Sequence, residues 1–116
     1  MTPEVFSELD ALLLSLNRAI GRLNYKIPNK GPYVKTTYQV LDHCARCVRI
    51  AMTGSGDTDL ELYVLERVLR NHAQDAADVE PASERGRIRF ACKARVYRNI
   101  TRRVAAIRAR HEGTRR

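Results

Sequence analysis

An all-α fold is what this sequence predicts: an antiparallel up-down four-helix bundle, forming one domain over residues 1–111. Three observations predict it. Apolar residues recur at spacings of three and four in four separate segments. Proline- or glycine-bearing breaks of about 5–10 residues part those segments, a length that joins antiparallel neighbours. And 116 residues supply one core, not two.

The first helix opens on Thr2-Pro3-Glu4: a cap, a proline at the first helical position and an acid at the positive helix end. Phe6, Leu9, Leu13, Leu16, Ile20 and Leu23 then form a long stripe close to a coiled-coil seam. Asn24 to Pro32 breaks it with two prolines and a glycine. The second helix is expected from about Val34 to Met52, with Tyr38, Leu41, Ala45, Val48 and Met52 on its inner face. Thr53-Gly54-Ser55-Gly56-Asp57 stops it. Thr58-Asp59-Leu60-Glu61 reads as a capping box for a third helix, with Leu62, Leu65, Leu69, His72 and Ala76 inward and an end before Pro81.

The fourth segment, Ser83 to about His111, is ambiguous at its start. Ile88, Phe90, Cys92, Ala94 and Val96 alternate with Arg87, Arg89, Ala91, Lys93 and Arg95, as in a strand. No other segment offers a strand partner, and a lone strand leaves its backbone groups unpaired. The same residues continue at helical spacing into Ile100, Val104 and Ile107, so the segment is read as helix with Ile88, Cys92 and Val96 inward. Residues 112–116 form a basic tail.

Charge is the strongest functional signal. The chain carries 21 Lys plus Arg against 13 Asp plus Glu, for a net +8. Residues 57–84 hold a net −6 and residues 85–116 a net +11. A segment that basic calls for a polyanion, a membrane surface or an acidic protein face. The acidic segment before it can neutralise part of it, within the fold or across a subunit contact. No apolar run reaches the length of a membrane span, and Met1 to Asp10 lacks the basic start of a signal peptide. A reducing, cytoplasmic setting is expected, since three cysteines is too few for a disulfide scaffold.

At 100° per residue, Arg87, Arg95, Arg98 and Arg102 fall within an arc of about 80°, with Ala91, Ala105 and Ala109 in or beside it. An arginine face lined by small residues can lie close to a phosphate backbone. Arg103, Arg108 and Arg110 extend the candidate surface. So do Lys26, Lys30 and Lys35, which interleave with Tyr25 and Tyr33 in a proline-bounded loop suited to stacking on unpaired bases. A solvated helix face and tyrosines that cap the bundle are the structural alternatives.

Other chemistry has weak support. Cys44-Ala45-Arg46-Cys47 is a single C-x-x-C, whereas a zinc site of this kind shows a second pair at matching spacing. On a helix the two thiols share a face, so Cys44, Cys47 and Cys92 are read as small core hydrophobes, with no metal and no cofactor. His72 is read as a satisfied, half-buried histidine. Asp57, Asp59, Glu61 and Glu66 sit at a helix start, where capping and the helix dipole account for them. No nucleophile comes with a base and an orienting group, so no enzyme is expected.

Two stretches carry a family resemblance. Ile27-Pro28-Asn29-Lys30 resembles the short proline-basic turn before the second helix of Avd, the accessory variability determinant of diversity-generating retroelements. Ile100-Thr101-Arg102-Arg103-Val104-Ala105-Ala106-Ile107 resembles that family's last-helix pattern of hydrophobic, Gly, Arg, hydrophobic, Leu, Gly, small, Trp. Arg102 falls on the Arg, Ala105 and Ala106 on the small pair and Ile107 on the aromatic, while Thr101 stands in place of Gly. The resemblance implies a pentameric bundle that binds a reverse transcriptase and its template RNA without being catalytic. The residues themselves imply less: a self-associating bundle whose basic last helix suits nucleic acid. Taken with the resemblance, the expected function is a non-catalytic, nucleic-acid-binding accessory protein with RNA favoured. The alternatives are a viral or phage helical binder of double-stranded RNA, and a protein-only adapter or inhibitor docking its arginine face on an acidic partner.

Overall fold

The computed structural model describes the backbone of residues 1–26 and 31–114, and side chains over 1–23 and 33–112. Four helices account for it: α1 Pro3–Lys26, α2 Gly31–Thr53, α3 Thr58–Asp78 and α4 Glu84–Thr114. There is no strand among the described residues. At 31 residues α4 is about 46 Å long. It sets the longest dimension of a molecule measuring 48 × 31 × 22 Å.

All four helices contribute to a single core. Leu9 and Leu16 of α1, Val40, Cys44 and Val48 of α2, Leu62 and Leu69 of α3, and Val104 of α4 are among its most buried side chains. α3 packs most extensively on α4, and α1 on α2, while α2 also packs on α4.

The inner stripe of α1 is rotated from the expected one. Val5, Leu9, Leu12 and Leu16 are buried, whereas Phe6 is 44% exposed and Leu13, Ile20 and Leu23 are only half-buried against the core. Ala11-Leu12-Leu13-Leu14 is apolar all round, so periodicity alone leaves the register open, and packing settles it. On α2, Thr36, Val40 and Ala51 join Leu41, Ala45 and Val48 inside, while Tyr38 and Met52 are half-buried. On α3 Ala73 is fully buried, and His72 beside it is half-buried, as expected.

The α3 cap is shifted by one residue. Asp57, not Thr58, is the cap: its carboxylate accepts from the Leu60 N–H at 2.8 Å, and the Glu61 carboxylate accepts from the Gly56 N–H at 3.0 Å. Thr58 is buried, and its hydroxyl accepts from the Thr2 N–H at 2.8 Å, tying the starts of α1 and α3 together. Asp57→Ala should cost about 1 kcal/mol and lower the thermal midpoint by on the order of 4 °C. An unchanged melting curve would show that the cap contributes nothing.

The segment that alternates from Arg87 to Val96 is helical. The Ser83 hydroxyl accepts from the Gly86 N–H at 3.1 Å at the start of α4. The inner face there runs through Cys92, Ala94 and Tyr97, leaving Val96 half-buried and Ile88 40% exposed, contrary to the expected face. The helix also runs on to Thr114, past the expected end near His111.

Candidate nucleic-acid interface

The outer surface of α4 carries no acidic residue between Glu84 and Glu112. Within it, the structure separates the candidate arginines by what they touch. Arg87 pairs with Glu84 one turn away, both on the surface. Arg110 donates through Nε to Glu8 of α1 at 2.7 Å. Arg95 donates to the Tyr33 hydroxyl and lies over the Tyr33 ring, 5.6 Å from its centroid. Burial does not hold Arg95 there, since its side chain is on the surface; the tyrosine contact does, and it raises the guanidinium's pKa further. Lys35 is exposed nearby. Lys26 and Lys30 lie outside the residues whose side chains are described.

Arg108 stands apart. It donates through Nη1 to Glu66 Oε2 at 2.7 Å, and Glu66 is a buried carboxylate on α3. The Arg108 guanidinium also sits 5.4 Å from the Tyr63 ring centroid and 3.3 Å from Glu112. Arg70 approaches the same Glu66 oxygen at 3.4 Å. Helix capping does not explain Glu66: it is the counter-ion that lets α3 and α4 bring two arginines together. With His111 paired to Asp59 at 3.2 Å, the acidic and basic segments meet within one chain.

Arg98, Arg102 and Arg103 are left. All three are exposed, and none has a carboxylate partner among the described residues. Arg98 and Arg102 are four apart on one face, a like-charge spacing that destabilises a helix slightly. Beside them a shallow groove of about 210 Å³ runs between α3 and α4, lined by Arg70, Arg98 and Arg102 over Ala73, Thr101 and Ala105.

A second cluster escaped sequence reasoning. The Tyr97 hydroxyl lies 2.7 Å from His43 Nδ1, and His43 Nε2 is 3.7 Å from Cys47 Sγ. His72 stacks on Tyr97 and meets His43 edge-on at 4.6 Å between ring centres, so one knot joins α2, α3 and α4. Burial pushes the Tyr97 phenol and the Cys44 thiol each up to about 12. Burial also lowers the His43 pKa below its ordinary 6.5, with His72, Arg46 and Lys93 lowering it further and Asp42 opposing. The unfolded chain therefore takes up this proton first as pH falls, and His43 favours the folded state fully only above about pH 6.5. The thermal midpoint should drop as the pH falls below about 6.5, and His43→Gln should flatten that drop. A His43→Gln variant with the parent's pH profile would refute the assignment. The three cysteines are free thiols, and among the described residues no three His, Cys, Asp or Glu side chains are grouped to hold a metal ion.

Fold and surface together define the class: an all-α chain of four helices whose last helix presents an arginine-rich outer face. No helix among the described residues is long and apolar enough to cross a membrane. No protein-family model matches the chain, and neither a curated protein nor a solved structure matches it.

Proposed function

We propose that this chain is a non-catalytic accessory protein that binds nucleic acid, RNA in preference to DNA, through the outer face of α4. The observation that carries this reading is the trio Arg98, Arg102 and Arg103, exposed and, among the described residues, without a carboxylate partner on a helix that has acids available elsewhere. Unpaired cations at this density repel one another and cost the folded state stability, so a polyanionic partner is the simplest account of them. Tyr33, exposed beside Arg95 and Lys35, adds a stacking surface for unpaired bases. The test is the salt dependence of binding to a labelled RNA by fluorescence anisotropy. Three phosphate contacts correspond to a log–log slope of about −2 to −3. A flat dependence would favour the adapter reading, in which an acidic protein face takes the arginines.

The helix arrangement supports an antiparallel up-down bundle in which α4 packs on each of the other three helices. The starts of α1 and α3 meet at Thr2 and Thr58, while the end of α4 reaches the start of α3 through His111 and Asp59. Thr37 and His43 of α2 contact Cys92 and Tyr97 of α4 in the same order along the chain. Self-association belongs to the same proposal. Leu60, Val64 and Val68 form an exposed apolar stripe at four-residue spacing on α3, with Leu60 at 53% exposure, and a second copy is its expected cover. Light scattering at micromolar concentration should give a multiple of the 13.2 kDa chain mass. A Val64→Lys variant should shift it toward the monomer, and a monomeric parent would remove the claim.

A further inference from the structure

A second, larger cleft lies on the other flank of α4, where α1 and α2 close against it. It is open to solvent and has a volume of about 400 Å³. Ala19 of α1 and Val96 of α4, both half-buried, give it an apolar floor above the core side chains Leu16, Leu41 and Ile100, and Arg22 of α1 with Arg95 and Arg103 of α4 stand on its rim. Asn99 lies between the two α4 arginines, exposed, with an amide that both donates and accepts. No acidic residue lines the cleft, and neither Arg22 nor Arg103 has a carboxylate partner among the described residues. Arg95 is already held at the rim by Tyr33.

We infer that this cleft seats one unstacked nucleotide of a single strand, so that the chain binds single-stranded over double-stranded nucleic acid; the inference rests on the nucleic-acid reading above. The lining argues for each part of that ligand. Three guanidiniums with no acid select an anion and reject a cation or an amine. An inorganic anion alone leaves the apolar floor without a partner, and a purely apolar ligand leaves the arginines without one. A nucleotide has both halves, a flat base for the floor and a phosphodiester for the rim, and about 400 Å³ lies within the range of small-ligand sites. In a duplex the base faces are stacked on one another, so backbone and groove edges reach the protein but no base face is free to cover the floor. Arg22 is the residue that marks this site, because it belongs to α1 and takes no part in the outer face of α4.

Two variants separate the cleft from the outer face. Arg22→Ala removes one rim charge. Ala19→Leu combined with Asn99→Leu fills the cleft from α1 and α4 without changing the charge, and leucine suits both helices. Each protein is titrated by anisotropy against a labelled mixed-sequence single-stranded RNA, against its duplex, and against a single strand carrying one 2-aminopurine. The parent should bind the single strand more tightly and change the 2-aminopurine fluorescence as the base unstacks. Both variants should weaken single-strand binding by about tenfold, the scale of losing one base contact. Duplex affinity should stay within about twofold, the fluorescence change should be lost, and circular dichroism should show unchanged helix content. Variants that bind the single strand like the parent, or that weaken strand and duplex equally, overturn the cleft while leaving the α4 face in place. A parent that binds neither RNA form, or that binds anionic vesicles and no RNA, overturns the nucleic-acid reading and the cleft with it.

Discussion

Replacing Arg98, Arg102 and Arg103 together by Ala should abolish most nucleic-acid affinity while leaving the fold at least as stable as the parent. On the stability side, none of the three arginines holds a carboxylate among the described residues, and all three are exposed. Ala is the better helix former, and removing the Arg98–Arg102 pair relieves a repulsion of roughly 0.2–0.5 kcal/mol. Melting should therefore move little or rise slightly. On the binding side, each lost phosphate contact lowers the salt slope by about 0.7 for a single strand and 0.9 for a duplex, so three change it by about two to three. The loss should be similar across unrelated sequences, because such contacts position a strand and do not read it. Arg95→Ala is a separate experiment, since it also removes the contact that orients Tyr33. A triple variant with the parent's affinity and slope would show that the outer face is not the binding surface, and the acidic-partner reading would lead.

What the sequence disclosed and what it hid follow from the kind of signal each residue gives. The four helices were legible because proline, glycine and capping residues punctuate long stretches at helical spacing, and the alternating start of α4 was resolved by the lack of any strand partner. Facing was harder where one helix meets two neighbours. Near the start of α4, Val96 is more apolar than Tyr97, yet Tyr97 is the buried one, because its hydroxyl reaches His43 while its ring stacks on His72. Hydropathy ranks the residue and does not foresee the partner for its polar tip. The same limit applies to Glu66, since nothing in Leu65-Glu66-Arg67 says that this acid points inward. Its burial depends on Arg108, 42 residues later. The arginine count of the last helix was plain from composition. Which arginines are free depends on acids at positions 8, 66, 84 and 112 that only the fold brings near.

That division yields the opposite expectation for Arg108. Arg108→Ala should destabilise the chain strongly while changing nucleic-acid binding little. Glu66 is 5% exposed, and Arg108 is its close partner at 2.7 Å, with Arg70 standing off at 3.4 Å. Removing one member of a buried ion pair leaves an uncompensated charge and typically costs about 3–5 kcal/mol. The Arg108 side chain is about a third exposed, so water and Arg70 recover part of that, and a loss of about 2–3 kcal/mol is expected. For a chain of this length the thermal midpoint should fall by on the order of 10 °C. The double variant Glu66→Leu with Arg108→Met should regain most of it, because a well-packed apolar pair of similar volume replaces a buried ion pair at little or no cost. Folded Arg108→Ala protein, assayed well below its melting point, should keep the parent's salt slope to within about half a contact. Parent-like stability together with a slope lower by about one would place Arg108 on the phosphate backbone, with its contact to Glu66 incidental.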